Sequence, residues 1–483
     1  MKTTDIGSRL ELMVDDHLIE RLHGDAVLHM HQPVAREIVF PETTDPVVTE
    51  EGNGLRAGHL YHTVLFDDGT YRMYYGVTRD YYDKERSKRW AFYAESTDGR
   101  DWTTPSLKLF ECDGSRDNSI VWTDDLAPFI DENPDCAAAQ RYKAISPGKG
   151  QGRRALYALS SAEGLRWERM SPEPVITDGA FDSQNLAFWD SVRGEYRAYW
   201  RDFFQDAAGT RYRGIKTAVS QDFLNWTAGQ WLYYPGAEID ELYTNQIIPY
   251  YRAPQIFVGF PSRYVYRELS PAVESLPELT RRKSIIERTG VERIGTALTD
   301  TLFISSRDGV SFKVADHAFI RPGLRPKDNW IYGDNYTNWG IVETPSDVDG
   351  APPELSFYVS EGSRRNHFSK ECRRYTLRID GFGSLRASRH GGEVITRPLT
   401  FTGNQLVLNF SAAAAGSVRV ELQNLHGLPI PGFSLDDCVE IIGDDLERRV
   451  GWKDKTNLGD LSGRPLRIRF RIVEADVFSI RFI

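Results

Sequence analysis

Short apolar runs along this chain alternate with polar turns, at the spacing of β-strands. The stretch AFDSQNLAFWDSVRGEYRAYWRDF at 180–203 shows the unit: an apolar run, a turn carrying Gly194, and a second run rich in Tyr and Trp. Two such runs around a Gly-bearing turn predict a hairpin. Helical character is confined to SPAVESLPELTRRKSIIER at 270–288. An all-β chain with one helical insertion is therefore expected.

One turn recurs. FYAESTDGRDW, LYALSSAEGLRW, KTAVSQDFLNW and LFISSRDGVSF end at Trp102, Trp167, Trp226 and Phe312. Each has an apolar strand, then Ser, any residue, Asp or Glu, usually Gly, two more residues and an aromatic. Ser and Asp can bond turn amides, Gly supplies a left-handed position, and the aromatic packs on the sheet. Further hairpins precede these, as in YHTVLFDDGTYRMYYGV and NQIIPYYRAPQIFVGFPSRY, and NWGIVETPSDVDGAPPELSFYVSEG reads as a fifth unit. Five units of about four strands predict a five-bladed β-propeller. After about residue 376, strands without that turn predict a C-terminal β-sandwich. The expected division is an N-terminal closure segment 1–50, a propeller 51–375 and a sandwich 376–483. Trp102, Trp167 and Trp226 are expected between blades, away from any site.

Composition narrows the function. The 483 residues carry a formal charge of −10 and no basic stripe, which disfavours nucleic acid and anionic membranes. Cys112, Cys136, Cys372 and Cys438 show no metal-ligand spacing, so buried thiols are expected, with no metal and no cofactor. The N-terminus lacks a basic segment followed by an apolar one, and no run has a membrane-spanning length, so a cytoplasmic protein is expected. A homo-oligomer stays open.

Acids stand before the inner strands, where a propeller converges on its axis. Asp182 precedes Asn185, Glu241 precedes Asn245, and Asp334 precedes Asn338. Glu51 with Asn53 is the blade-one counterpart, and Asp124-Asp125 stands ahead of PFIDENPD in the second unit. Carboxylates sharing one pocket shift one another's proton affinity, which makes an acid and a base available together. Glu241 is expected as general acid, because Leu242 and Tyr243 could desolvate it; Asp182 is expected to stay ionised. Asn53, His62, Asn185, Arg201, Tyr243, Asn245, Trp330 and Tyr336 are the expected substrate-binding residues, since sugar rings stack on aromatics and bond amides.

With these features the chain resembles the five-bladed β-propeller glycosidases, the invertase/fructanase and arabinanase/xylosidase group. The resemblance rests on the Ser-x-Asp-Gly-x-x-Trp turns and the acidic strand starts over about 50–375. It implies a glycoside hydrolase or transglycosidase, exo-acting on a small furanoside or short oligosaccharide through paired carboxylates. The invertase signature Trp-x-Asn-Asp-Pro-Asn-Gly is absent; TEEGNG, with Glu51, is its positional counterpart. Two other readings remain: a non-catalytic carbohydrate-binding propeller, and a glycoside phosphorylase using Arg56, His59, His62 and Arg263.

Overall fold

The computed structural model describes residues 3–40, 60–79, 88–112, 114–150, 153–206, 209–237, 241–325, 329–362, 371–453 and 455–483. Five antiparallel sheets follow one another along the chain. Blade 1 holds Leu60–Asp67, Thr70–Arg79, Lys88–Ser96 and Ile120–Trp122. Blade 2 holds Phe129–Ile130, Tyr142–Gly150, Arg153–Ser161 and Glu168–Arg169. Leu186–Asp190, Glu195–Gln205, Arg211–Ser220 and Gln230–Trp231 make blade 3. Blade 4 is Ile248–Tyr250, Ala253–Gly259, Ile304–Ser306 and Phe312–Val314, with a second small sheet of Glu241–Leu242, Ser262–Val265 and Leu298–Thr301. In blade 5, Tyr336–Thr337 and Val342–Thr344 pair with Glu354–Glu361, which leads to Glu371–Leu377 and then to Val34–Phe40 from the N-terminal segment. The fold is an all-β five-bladed propeller followed by a C-terminal β-sandwich.

Compact units do not follow chain order. Residues 33–250 and 254–376 form the propeller unit, while residues 1–32, 251–253 and 377–483 form the second. Of the segment 1–50, the Val34–Phe40 strand lies in the propeller unit and residues 1–32 lie in the other. The second unit winds around two long strands, Leu406–Gln423 and Arg467–Phe482, paired through most of their length with irregular register at 409–410 and 412–417. Its hydrophobic core includes Phe410, Val420, Trp452, Ile468, Phe470 and Phe482. Among the described residues α-helix is limited to the insertion: α1 (Pro271–Glu274), α2 (Leu279–Thr289) and α3 (Glu292–Thr296). Arg282 of α2 is fully buried and donates to the carbonyls of Pro277, Gly295 and Trp330, which ties the insertion down. Among the described residues no helix is long and apolar enough to cross a membrane.

The recurrent turn is scaffold. Ser96 Oγ donates to Asp98 at 2.8 Å and accepts the Gly99 amide at 2.9 Å, and Asp98 accepts the amides of Arg100 and Asp101. Ser306, Asp308 and Gly309 repeat that pattern. At Asp222 burial opposes ionisation, yet the Asn225 and Leu224 amides and the Asn225 and Ser220 side chains hold its carboxyl down to about 2. The second strand of one blade then reaches the turn of the next. Tyr199 Oη donates to the Gly309 carbonyl at 2.8 Å, from blade 3 to blade 4. Tyr358 Oη donates to the Gly99 carbonyl at 2.7 Å, from blade 5 to blade 1. Tyr74 of blade 1 lies against Gly164 of blade 2, where a Cβ would come within 2.6 Å of its hydroxyl.

The seam between blades 2 and 3 departs from this scheme. Tyr71-Arg72-Met73-Tyr74 and Tyr196-Arg197-Ala198-Tyr199 align with Tyr142-Lys143-Ala144-Ile145, so Ile145 stands where the others have Tyr. The turn it faces carries Phe223 where the others have Gly, with φ +67°, and Ile145 and Phe223 share one apolar cluster. The ring volume missing from one side of the seam is supplied by the other. A non-Gly residue in the left-handed region costs about 1–2 kcal/mol, less than burial of the ring returns. Phe223→Gly should therefore destabilise by roughly 1–4 kcal/mol, the ~3–5 kcal/mol of a lost buried aromatic less that relief, read from chemical denaturation. A stabilised variant would show that the ring is not what sustains this turn.

Candidate active site

At the start of each inner strand, or within five residues before it, stands a residue with positive φ that is not glycine: Tyr61 at 57°, Asp124 at 129°, Phe181 at 54°, Gln246 at 47° and Asn335 at 59°. They belong to blades 1 to 5 in order. Such conformations cost free energy and persist only where neighbours over-determine them. Here the neighbours are visible. Gln184 Nε2 donates to the Tyr61 carbonyl at 3.2 Å, the His62 carbonyl at 3.2 Å and Thr63 Oγ1 at 2.9 Å. Gln246 Nε2 donates to Gln184 Oε1 at 2.6 Å, and Trp339 Nε1 donates to the Ile247 carbonyl at 3.0 Å. The chain thus turns sharply at one end of the axis in every blade and presents side chains there.

Those side chains form one continuous cluster. Arg89 of blade 1 pairs with Asp125 at 2.8 Å and lies over the Tyr61 ring at 5.1 Å. Tyr61 Oη reaches the Asp182 carbonyl at 3.5 Å. Asp182 pairs with Arg201, a buried guanidinium lying 4.3 Å from the Tyr243 ring centroid. Tyr332 Oη donates to Tyr243 Oη at 2.8 Å, and Tyr336 packs on Tyr243 at 5.5 Å. Arg213 donates to Glu241 at 2.6 Å and lies over Tyr264 at 4.3 Å. A narrow pocket is lined by Tyr61, Asp125, Leu126, Ala127, Gln184 and Asn185, with Ile145 and Pro147. All five blades contribute.

Two groups are strongly tuned. Burial pushes the Asp125 carboxyl up to about 6; Arg89 opposes this, while Asp124 and Asp182 add to it. Burial and the Asp182 charge disfavour the Tyr243 phenolate, but the Arg201 charge and the hydrogen bonds from Tyr332 and Arg201 outweigh them and hold Tyr243 below the usual tyrosine range. Tyr61 and Tyr336 go the other way, driven well up by burial. A raised carboxyl and a lowered phenol in one cluster are the ingredients of acid–base chemistry.

The expected site residues divide. Asp182, Arg201, Tyr243 and Tyr336 meet in the cluster, Asn185 lines the pocket, and Glu241 joins through Arg213. The Glu241 carboxylate takes the guanidinium and backbone amide of Arg213. Asp334 is fully buried, and Thr299 Oγ1 donates to its carbonyl at 2.7 Å. Asn245 accepts the Ile247 amide of its own turn at 3.4 Å. The His62 ring sits between Tyr75 and Ser360, whose Oγ lies 3.4 Å from Nδ1. Trp330 Nε1 donates to the Gly323 carbonyl at 2.9 Å. Glu51 and Asn53, like Arg56 and His59, lie outside the described residues, and Arg263 is paired with Asp300 at 2.6 Å. Asp125 and Arg89 were not among the expected residues. The Asp124-Asp125 pair was visible ahead of its strand, but it lacks the following Asn that marked the other three.

No protein-family model and no curated protein sequence matches the chain. Among solved structures, a glycosyl hydrolase from Bacteroides ovatus is similar at 13% identity, over 75% of this chain and 97% of that one, with a TM-score of 0.41. A structure titled for the GH130 family of mannoside phosphorylases and glycoside hydrolases is similar at 13% identity, over 74% and 94%, with a TM-score of 0.40. An N-acetylgalactosamine deacetylase from F. plautii is similar at 11% identity, over 72% and 94%, with a TM-score of 0.43. These likenesses are too distant to carry an activity across.

Asp125 makes a stability prediction with a definite sign. A carboxyl whose proton is held more tightly in the folded state stabilises below its unfolded pKa of about 4 and loses that contribution as pH rises through about 6. Relative to Asp125→Asn, the wild-type chain should lose on the order of 2–3 kcal/mol between pH 4 and pH 7, measured by urea denaturation across that range. A gap that widens in favour of wild type would contradict the burial argument.

Proposed function

We propose that the chain is a glycoside hydrolase acting on a small furanoside or short oligosaccharide at this cluster. The observation that supports it best is a buried carboxyl, Asp125, in a pocket lined by Tyr61, Gln184 and Asn185, within a cluster that also holds the Asp182–Arg201 ion pair. Glycosidic cleavage needs a proton for the leaving oxygen and negative charge near the anomeric carbon as it becomes cationic. Asp125 supplies the proton, because it holds one at a pH where an ordinary aspartic acid has lost it. Asp182 supplies fixed negative charge, and Arg201 keeps its carboxylate oriented. The half-buried Tyr243 offers a ring face to the apolar side of a sugar, Tyr61 lines the pocket, and Asn185 offers an amide for a hydroxyl. In this scheme Glu241 orients Arg213, and the acid role passes from Glu241 to Asp125.

A sugar-binding propeller would need the aromatics and amides but would gain nothing from a tuned acid. Phosphorolysis and hydrolysis separate by comparing product formation with and without inorganic phosphate. The decisive measurement is release of the aglycone from aryl furanosides and pyranosides. Asp125→Asn should lower kcat on poor leaving groups by at least about 10²-fold. Wild-type kcat should fall above about pH 6, as Asp125 loses its proton, and the variant should lack that limb. If the wild-type chain binds sugars but cleaves no glycoside, the binding-module reading replaces this one.

A further inference from the structure

If the site hydrolyses glycosides as proposed above, something must take the anomeric carbon when the leaving group departs, or activate the water that does. The carboxylates described in the cluster are each held by an arginine: Asp125 by Arg89, Asp182 by Arg201, Glu241 by Arg213. Tyr243 differs from them and from its neighbours. Tyr61 and Tyr336 are buried, whereas Tyr243 is only half-buried. Its ring lies under the Arg201 guanidinium at 4.3 Å and the Arg213 guanidinium at 5.5 Å, and its oxygen accepts the Tyr332 hydroxyl at 2.8 Å. A phenol between two fixed positive charges, with a hydroxyl donating to its oxygen, is arranged to carry negative charge.

We propose that Tyr243 Oη is the nucleophile of this site, with Arg201 and Tyr332 holding it as the phenolate. Of the shifted tyrosines among the described residues, it is the one drawn below the ordinary range. In the first step the phenolate oxygen forms a bond to the anomeric carbon while the glycosidic C–O bond breaks, and the leaving oxygen takes the Asp125 proton. In the second, water attacks the anomeric carbon, the carbon–Tyr243 bond breaks to regenerate the phenolate, and the water proton passes to the Asp125 carboxylate. One glycoside and one water give one sugar and one alcohol, with the anomeric configuration retained. A neutral aryl ether intermediate also leaves no second carboxylate to be desolvated beside Asp182.

Two measurements test this, one without any substrate. Titration of phenolate absorbance in wild type against Tyr243→Phe should show one tyrosine ionising below the ~10 of a free side chain, lost in the variant and moved upward in Tyr332→Phe. If Tyr243 ionises at or above ~10, the proposal is overturned whatever the enzyme cleaves. For the chemistry, wild type is treated with 2-deoxy-2-fluoro glycosyl fluorides of the pentofuranose and hexopyranose series, and its peptides are analysed by mass. A sugar adduct on the peptide bearing Tyr243, with kcat of Tyr243→Phe down at least about 10³-fold on poor and good leaving groups alike, supports it. Asp125→Asn, by contrast, should recover on good leaving groups. An adduct on Asp182, or cleavage with inversion, overturns the role of Tyr243 and leaves the hydrolase reading standing. A wild-type chain that cleaves none of the panel's glycosides removes both.

Discussion

The Gln184 side-chain amide spans the propeller axis, and the arrangement of the inner strands depends on it. Inner strands of neighbouring blades diverge, so their first residues cannot satisfy one another by ladder pairing alone. Gln184 answers this from blade 3 by donating to two carbonyls and a hydroxyl on blade 1 while accepting from Gln246 of blade 4. Blade 5 closes the other side, where the Trp339 amide bonds the His62 carbonyl at 3.0 Å and the Val64 amide bonds the Trp339 carbonyl at 2.8 Å. A buried polar group left without such partners costs about 1–3 kcal/mol. The amides at the strand starts are thus the framework that permits five left-handed residues in a ring, and those residues aim the cluster.

Charge in the cluster is arranged pairwise. Arginines from the second and third strands of a blade reach acids at the strand starts, so the region is dense in charge but locally near neutral. That suits a neutral polar ligand better than a free anion. It also makes the few groups outside these pairs conspicuous, the tyrosines above all, whose rings already rest against guanidinium faces.

The scaffold was legible in the sequence because it repeats. Ser96, Asp98, Gly99 and their counterparts solve one local problem, the amides of a tight turn, and solve it in the same letters each time. The candidate site, as the cluster the structure assembles, was legible only in part. Asp182, Arg201, Tyr243 and Tyr336 could be found because strand starts converge in a propeller. Yet Asn beside an acid proved a poor guide: Asn245 binds its own turn and Gln184, a neighbouring amide, carries the axis. Asp125 escaped because its environment, not its local pattern, makes it unusual. Burial and the approach of Arg89, some 36 positions upstream in the chain, are properties of the folded molecule. His62 failed in the converse way: its carbonyl serves the axis while its ring turns into the blade.

The exchange of ring for side chain between Ile145 and Phe223 has a bearing on descent. In a propeller grown by copying one blade, every junction begins identical, and any blade could follow any other. Once one strand gave up its tyrosine and the facing turn took on a phenylalanine, blades 2 and 3 became specific to each other. Either substitution alone is destabilising: Tyr opposite Phe overfills the junction, and Ile opposite Gly leaves it hollow. Blades 2 and 3 would therefore be inherited as a couple. A rearranged or circularly permuted chain could be opened between other blades more readily than at that junction.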